Sequence, residues 1–330
     1  MFRVVCTTLG DPELLSVVEE RDPRPEPGHV VVAVEAAGVS FVDGLIVQGR
    51  YQVTPPLPFT PGGPVAGRIV AVGEGVDPGR VGTRVVGTAA RTGGGYTTHA
   101  VLPGPMAVPV PEHVPASIAA SAFEGYLTLV FAVTHRVTVE KDEWVVVLGA
   151  GGGIGLAAVD VARGLGARVL GVASSAEKRA AALAAGAEAA IDYTDLKDGI
   201  RAATGGGADV VIDPVGGPAA ESALRALGTG GRYCVVGFAS GDIPRLPANI
   251  VLLRNRSIVG VDFGDWSREV AGPAGNAALL ADVVGRIGRG ELHPPPPTEV
   301  PLTEAAAALR RYADRTAVGK YVLVPSAPEE

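Results

Sequence analysis

The sequence predicts an α/β chain in which a β-rich module is followed by a doubly wound parallel sheet. Three observations carry this. The first third consists of short apolar runs separated by Gly and Pro, the texture of an all-β module. From about Ser121 the pattern changes to an apolar strand, a turn, an Ala-rich helix and another strand, repeated over six strands. The first of these turns is a glycine cluster, Gly149 to Gly155, leading directly into a helix. At 330 residues the chain is about twice the usual length of one domain, so two domains are expected.

The elements follow in order. In the first module the strands are Val30 to Ala36, Val65 to Val72 and Arg84 to Gly87. The parallel sheet takes Trp144 to Leu148, Arg168 to Ala173, Ala189 to Asp192, Val210 to Asp213, Tyr233 to Val236 and Ser257 to Val261. After Asp262 the alternation stops. An Ala-rich helix, the prolines Pro294 to Pro297, a second Ala-rich helix and a last strand, Lys320 to Val324, complete the chain. The expected boundaries are 1–121 for the first part of the β-rich module, 122–262 for the parallel sheet and 263–330 for a return to the first module.

Composition excludes several classes of function. No apolar run nears the roughly 20 residues of a membrane span, and the N-terminus lacks a basic-then-apolar signal segment, so a cytoplasmic location is expected. Cys6 and Cys234 lie far apart without a CxxC pair, which argues for two buried thiols rather than a disulfide framework or a zinc lobe. The net charge of −7 has no long runs and gives no footprint for nucleic acid or an anionic membrane. A small ligand is expected instead.

The run Val145-Val-Val-Leu-Gly-Ala-Gly-Gly-Gly-Ile-Gly155 is a buried strand entering a glycine turn, with a helix predicted from Leu156 to Gly166. Glycine lets backbone approach a pyrophosphate, and the helix N-terminus offers unpaired N–H groups and a positive dipole end. Gly152, Gly153 and Gly155, with Ile154 among them, belong under the phosphates; the alternative is an ordinary glycine-rich turn. A site preferring NAD carries Asp or Glu at the end of the second strand, where this chain reads Val172-Ala173-Ser174-Ser175. Ser174, Ser175 and Lys178, followed by Arg179, suit a 2′-phosphate, so NADPH is the expected cofactor. The other reading is that the two serines cap a helix bearing surface cations.

These residues resemble the medium-chain dehydrogenases/reductases, and among them the zinc-independent quinone oxidoreductases. The resemblance spans nearly the whole chain: Gly38-Val-Ser-Phe-Val-Asp43, Pro61-Gly-Gly-Pro-Val-Ala-Gly67, Val70-Ala-Val-Gly-Glu-Gly75, Gly149 to Gly155, Ser174-Ser-Ala-Glu-Lys178, Ile191-Asp-Tyr193, Asp213-Pro-Val-Gly-Gly217 and Gly319-Lys320. It implies a GroES-like β-rich catalytic domain interrupted by a Rossmann domain, with the active site in the cleft between them. Zinc-holding members carry a cysteine after a Gly-Val pair, a His-Glu pair after Pro-Gly and a further ligand ahead of the Rossmann domain. Here those places read Ser40, Gly63-Pro64 and about Ala120, so no catalytic zinc is expected. His29, His99, His113, His135 and His293 show no ligand spacing and read as surface or turn histidines.

Without zinc, alcohol oxidation is disfavoured, while hydride delivery to an already electron-poor acceptor needs mainly position, orientation and a proton donor. The resemblance places Tyr51 where related enoyl-thioester reductases carry a catalytic tyrosine, and where quinone reductases use one to pack on the cofactor. Ser40 and Asp43 fall in a segment that lines the nicotinamide pocket, with a plain loop cap as the alternative for Asp43. Tyr126 and Thr128 stand near the cofactor in relatives, although Glu124-Gly125 departs from the usual Asn-Tyr-Leu-Thr pattern. Tyr193 resembles a tyrosine beside the adenosine phosphate. Val215, Gly237, Phe238 and Phe263 lie at carboxyl ends of strands, where ligands bind, and core packing is the other reading of both phenylalanines. Asn249 and Lys320 match positions that contact the cofactor.

The expected activity is hydride transfer from NADPH to a small-molecule electron acceptor, a quinone or similar electron-poor carbonyl. The alternative is enone or enoyl-thioester reduction, and a third reading is a non-catalytic NADPH-binding protein. The resemblance further implies a homodimer joined through the last Rossmann strand, Ser257 to Val261, with no nucleic-acid or membrane partner.

Overall fold

The computed structural model describes residues 1–89 and 94–325. It divides into two compact units. One comprises Met1–Phe123, Ala271–Arg289 and the chain from Pro296 onward; the other comprises Glu124–Val270 with Gly290–Pro295.

In chain order, β1 (Phe2–Val5) and β2 (Ser16–Glu19) pair antiparallel. They precede β3 (His29–Val39), α1 (Phe41–Val47), β4 (Pro64–Val72), β5 (Arg84–Thr88), β6 (His99–Pro103) and β7 (Val108–Pro109). The helix α2 (Ala116–Phe131) runs on through a wider turn, Ala132–Arg136. Next come β8 (Trp144–Leu148), α3 (Gly153–Gly164), β9 (Arg168–Val172), α4 (Ala176–Ala184), β10 (Ala189–Ile191), α5 (Leu196–Thr204), β11 (Ala208–Asp213), α6 (Ala219–Ala226), β12 (Leu227–Val235), α7 (Ala248–Leu252) and β13 (Ser257–Gly260). The remainder holds α8 (Phe263–Trp266), α9 (Gly272–Gly288), β14 (Thr298–Pro301), α10 (Ala305–Ala313) and β15 (Tyr321–Val324).

The first unit is built on one mixed sheet of order β14-β15-β3-β4-β5-β7, with β6 also paired to β3. The tail rejoins the N-terminal module as the sequence predicts: β15 lies antiparallel to β3, with Tyr321 opposite Val39 and Leu323 opposite Ala37. Val30, Val32 and Val34 alternate along β3 and face a core containing Val4, Ile69 and Leu102, the period-two pattern of a half-buried strand.

The second unit is a six-stranded, wholly parallel sheet of order β10-β9-β8-β11-β12-β13. Numbered from β8 this is 3-2-1-4-5-6, the doubly wound Rossmann order. All five residues of β8 are buried, as a central strand covered on both faces requires. Cys6 and Cys234 are buried thiols, and burial pushes Cys234 up to about 12.

Several details differ from the sequence reading, three of them with a clear physical reason. Helix α3 begins at Gly153 rather than Leu156, because close packing at its first turn outweighs glycine's poor helix propensity. Strand β12 begins at Leu227 rather than Tyr233, with a bulge that lets the glycines Gly228, Gly230 and Gly231 stay in the strand. The third concerns the apolar run: Ala116–Arg136 is 21 residues long and apolar enough to cross a membrane by composition. In the fold 72% of it is buried, as befits a core helix whose Ala, Leu and Phe residues face protein on most sides.

One buried carboxylate clasps the tail segment to the second unit. Asp160 on α3 is 1% exposed and accepts the Tyr126 hydroxyl at 2.9 Å, the His293 backbone N–H at 2.6 Å and the Arg163 guanidinium at 3.1 Å. Burial, then the carboxylate, pushes the Tyr126 phenol well above its ordinary pKa and keeps it a donor. Replacing Asp160 by Ala strands these donors and is expected to cost ~3 kcal/mol, whereas Tyr126→Phe, which removes one donor, is expected to cost ~1 kcal/mol. Urea unfolding followed by tryptophan fluorescence checks this, since Trp144 and Trp266, the chain's two tryptophans, both lie in the second unit.

Candidate active site

The glycine turn between β8 and α3 is shaped by contacts no other residue tolerates. A Cβ on Gly155 would lie 2.2 Å from the Gly149 carbonyl oxygen, and one on Gly151 would lie 2.4 Å from the Lys178 Cβ. Gly152 is the N-cap of α3 without a side-chain cap, and the first helical bond runs from the Leu156 N–H to the Gly152 carbonyl at 2.8 Å. The N–H groups of Gly153, Ile154 and Gly155 therefore precede the first intrahelical bond, at the positive end of a 12-residue helix. Bare backbone and open donors are what a pyrophosphate requires, so this turn fits a dinucleotide.

Side chains from the ends of three strands gather around the turn. The Tyr193 hydroxyl, following β10, accepts the Gly149 N–H at 2.9 Å. Burial, reinforced by Asp213, raises the Tyr193 pKa. Val215, following β11, brings its Cγ2 to 2.7 Å from where a Gly149 Cβ would stand. Lys178, on the first turn of α4, covers Gly151, and burial lowers the pKa of its ammonium. Ser174 and Ser175 are exposed at the end of β9, and Ser175 caps α4 by accepting the Lys178 N–H at 3.2 Å. The capping alternative raised by the sequence is thus present for Ser175, while the Ser174 hydroxyl stays exposed.

Asp213, buried at the end of β11, organises the next loop. One carboxylate oxygen accepts the N–H groups of Val215 and Gly216 at 2.7 and 2.8 Å, and the other accepts the Tyr233 hydroxyl. Gly237 donates to the Asp213 carbonyl at 3.3 Å, and Phe238, 39% exposed, approaches Gly216. Neither Asp213 nor Tyr233 stood out in the sequence as a site residue, because a strand-ending Asp and a strand Tyr are ordinary residues until their pairing across β11 and β12 is seen.

In the first unit, Ser40 and Asp43 form a capping box on α1. The Ser40 Oγ accepts the Asp43 N–H at 3.1 Å, and the Asp43 carboxylate accepts the Ser40 N–H at 2.9 Å. The same carboxylate oxygen accepts the Tyr96 hydroxyl at 2.9 Å, and all three residues are buried. Tyr96 carried no sequence signal beyond its glycine-rich neighbourhood. Lys320 donates from Nζ to the Val39 carbonyl at 3.0 Å, which sets it beside Ser40. Tyr51 lies past the end of α1 and is 39% exposed.

The other predicted positions lie on α2, α7 and α8, and α2 passes the glycine turn closely, since a Cβ on Gly125 would lie 3.2 Å from the Gly153 carbonyl. Tyr126 spends its hydroxyl on Asp160 inside the second unit. The ring of Phe263 packs 6.0 Å from both Phe131 and Trp266, in an aromatic group that also includes His135. Thr128 is half-buried on α2, and Asn249 is exposed on the five-residue α7. Among the described residues no hydrogen bond ties either to the glycine turn.

Pro64 and Ala120 lie together against Gly38. A Cβ on Gly38 would lie 2.9 Å from the Pro64 ring and 2.8 Å from the Ala120 carbonyl. Pro64 and Ala120 offer no N, S or carboxylate side-chain donor. No group of three His, Cys, Asp or Glu side chains that could hold a metal occurs among the described residues.

Comparison with known proteins agrees with this architecture. The family described as alcohol dehydrogenase GroES-like domain matches residues 26–112, and the one described as zinc-binding dehydrogenase matches residues 153–274. The quinone oxidoreductase-like protein 2 homolog of Nematostella vectensis is 38% identical over 80% of this chain and 73% of its own length. Quinone oxidoreductase-like protein 2 of Rattus norvegicus is 33% identical over 97% of this chain and 91% of its own. The crystal structure of Escherichia coli quinone oxidoreductase complexed with NADPH superposes with a TM-score of 0.88 at 27% identity, covering 98% of this chain and 100% of that one. The chain belongs to the medium-chain dehydrogenase/reductase superfamily, among its quinone oxidoreductase-like members.

Proposed function

We propose that this protein is a zinc-independent, NADPH-dependent oxidoreductase whose acceptor is a quinone or a similarly electron-poor carbonyl compound. The observation that carries the reading is Lys178 lying against Gly151, beside a second strand whose end has two serines and no carboxylate. That set offers a cation and hydroxyl donors to a 2′-phosphate and nothing to accept from a ribose 2′-hydroxyl. The NADPH complex of the Escherichia coli relative supports the same choice. When bound, NADPH supplies the hydride.

The chain's own residues bind and orient. Gly153, Ile154 and Gly155 present N–H groups to the pyrophosphate, and Asp213 fixes the loop carrying Val215 against the same turn. Ser40 has its oxygen committed to the Asp43 N–H, so its hydroxyl hydrogen is left to donate to the nicotinamide carboxamide or to the acceptor oxygen. Non-ligating residues at the zinc positions support an acceptor that needs no Lewis acid to draw electron density. Reducing a quinone takes one hydride and one proton, and Tyr51 is the proton source considered for this site.

Lys178→Ala is expected to lower the NADPH-over-NADH preference in kcat/KM by ~10–100-fold, the worth of a charge-assisted phosphate contact. Because burial lowers the Lys178 pKa, the wild-type preference is expected to fade on the alkaline side before an ordinary lysine would deprotonate. NADPH oxidation against quinones, enones and enoyl thioesters tests the acceptor class. Turnover with quinones, and a Tyr51→Phe loss below ~10-fold, are expected. Turnover confined to the double-bond substrates, with a Tyr51→Phe loss of ~100-fold or more, would make the chain a C=C reductase. NADPH binding without turnover would leave it non-catalytic.

The assembly we infer is a homodimer through β13, an edge strand whose Ile258 is 40% exposed, with Leu252 and Leu253 exposed just before it. Light scattering is expected to give twice the chain mass and to fall to the single-chain mass for Ile258→Lys.

A further inference from the structure

At the amino ends of β12 and β13, the end of the parallel sheet away from the glycine turn, four arginines meet around the C-terminus of α6. Arg201 donates from Nη2 to the Arg225 carbonyl at 2.9 Å, and Arg256 donates from Nη2 to the same oxygen at 3.3 Å. Sharing one acceptor holds the two guanidinium nitrogens no more than about 6 Å apart, a separation at which like charges repel. Arg256 is 8% exposed, and its other acceptors are the carbonyls of Gly228, Ile250 and Leu227. Burial, then Arg254, Arg201 and Arg225, lowers its pKa, as crowded positive charge should.

The counter-charge does not match. Among the described residues the only carboxylate bonded to the four is Glu221, which Arg225 grips from Nε at 2.7 Å and from Nη2 at 2.6 Å. The C-termini of α5 and α6 each contribute about half a negative charge, leaving roughly two positive charges uncompensated. The Arg201 Nε is buried with no acceptor. Arg254 is exposed and its side chain has no hydrogen-bond or ion-pair partner among the described residues. The neighbouring backbone is bare: a Cβ on Gly205, Gly206 or Gly230 would meet nothing within 4 Å, and the Gly230 N–H holds the Arg254 carbonyl at 2.7 Å.

We propose that Arg201, Arg225 and Arg254, with the glycine loops at 205–207 and 228–231, form a second anion site that binds a doubly charged tetrahedral oxyanion of the phosphate class. The dianion balances the excess charge, the guanidinium N–H groups that Glu221 and the carbonyls leave over match its oxygens, and the bare backbone at Gly205, Gly206 and Gly230 leaves room for it. Arg256, held by carbonyls beneath, supplies field rather than direct contact. The site is independent of the nucleotide turn, which lies at the opposite strand ends.

Thermal unfolding of the whole protein, followed by tryptophan fluorescence with inorganic phosphate against chloride at matched ionic strength, tests this. Phosphate is expected to raise the wild-type midpoint by a few degrees more than chloride, as ligand linkage requires. The extra shift should persist in Lys178→Ala and vanish in Arg254→Ala and Arg201→Gln. Arg254→Ala decides the matter if Arg201→Gln does not fold, since Arg254 is exposed and unbonded. A shift no larger than that of chloride overturns the proposal. So does one lost in Lys178→Ala but kept in Arg254→Ala, which would put phosphate at the glycine turn, or one kept in every variant.

Discussion

The packing of Gly155 against the Gly149 carbonyl is the contact on which the second unit's chemistry depends. A Cβ there would lie 2.2 Å from the oxygen, so only glycine lets α3 start so close to the end of β8. That closeness aims the first N–H groups of the helix at whatever lies above the turn, and it brings Gly149 within reach of Tyr193 and Val215. Local backbone permissiveness thereby becomes a concentrated field of donors, the property that lets a neutral loop hold a pyrophosphate.

Buried carboxylates hold the parts that this contact does not reach. Asp213 takes two loop N–H groups and the Tyr233 hydroxyl; Asp160 takes Tyr126, Arg163 and the His293 N–H; Asp43 takes the Ser40 N–H and the Tyr96 hydroxyl. In each case a charge inside the protein is surrounded by donors, the arrangement that makes an otherwise costly burial tolerable. Each also ties segments far apart in sequence: Asp160 to the stretch before the proline run, Asp43 to Tyr96, Asp213 to the neighbouring strand. These carboxylates therefore act as positioning groups for the segments around them.

The same logic separates the two ends of the parallel sheet. At the carboxyl ends lie the first N–H groups of α3 and one partly buried lysine. At the amino ends, guanidiniums cap helix carbonyls and outnumber the acids. Doubly wound sheets concentrate positive backbone potential at the first end; at the second, this chain gathers positive charge through side chains instead.

The layer architecture was legible in the sequence. The strands of the parallel sheet repeat a buried apolar pattern that backbone hydrogen bonding and burial leave little freedom to misread, and Trp144–Leu148 is placed to the residue. The glycine turn was legible too, since only glycine tolerates the close contacts it makes. The tail's return was legible too, as the alternation ends at Asp262 and a lone strand follows. The pairings of polar side chains were not legible there. The Tyr126 hydroxyl pairs with Asp160; Phe263 belongs to an aromatic group with Phe131, His135 and Trp266; Tyr96, Asp213 and Tyr233 emerge only through partners remote in sequence. Periodicity and propensity act between residues a few positions apart, so they reveal helices, strands and turns. A hydrogen bond such as that between Tyr96 and Asp43, 53 positions apart, is fixed by the packing of whole elements, and its physics is written in three dimensions only.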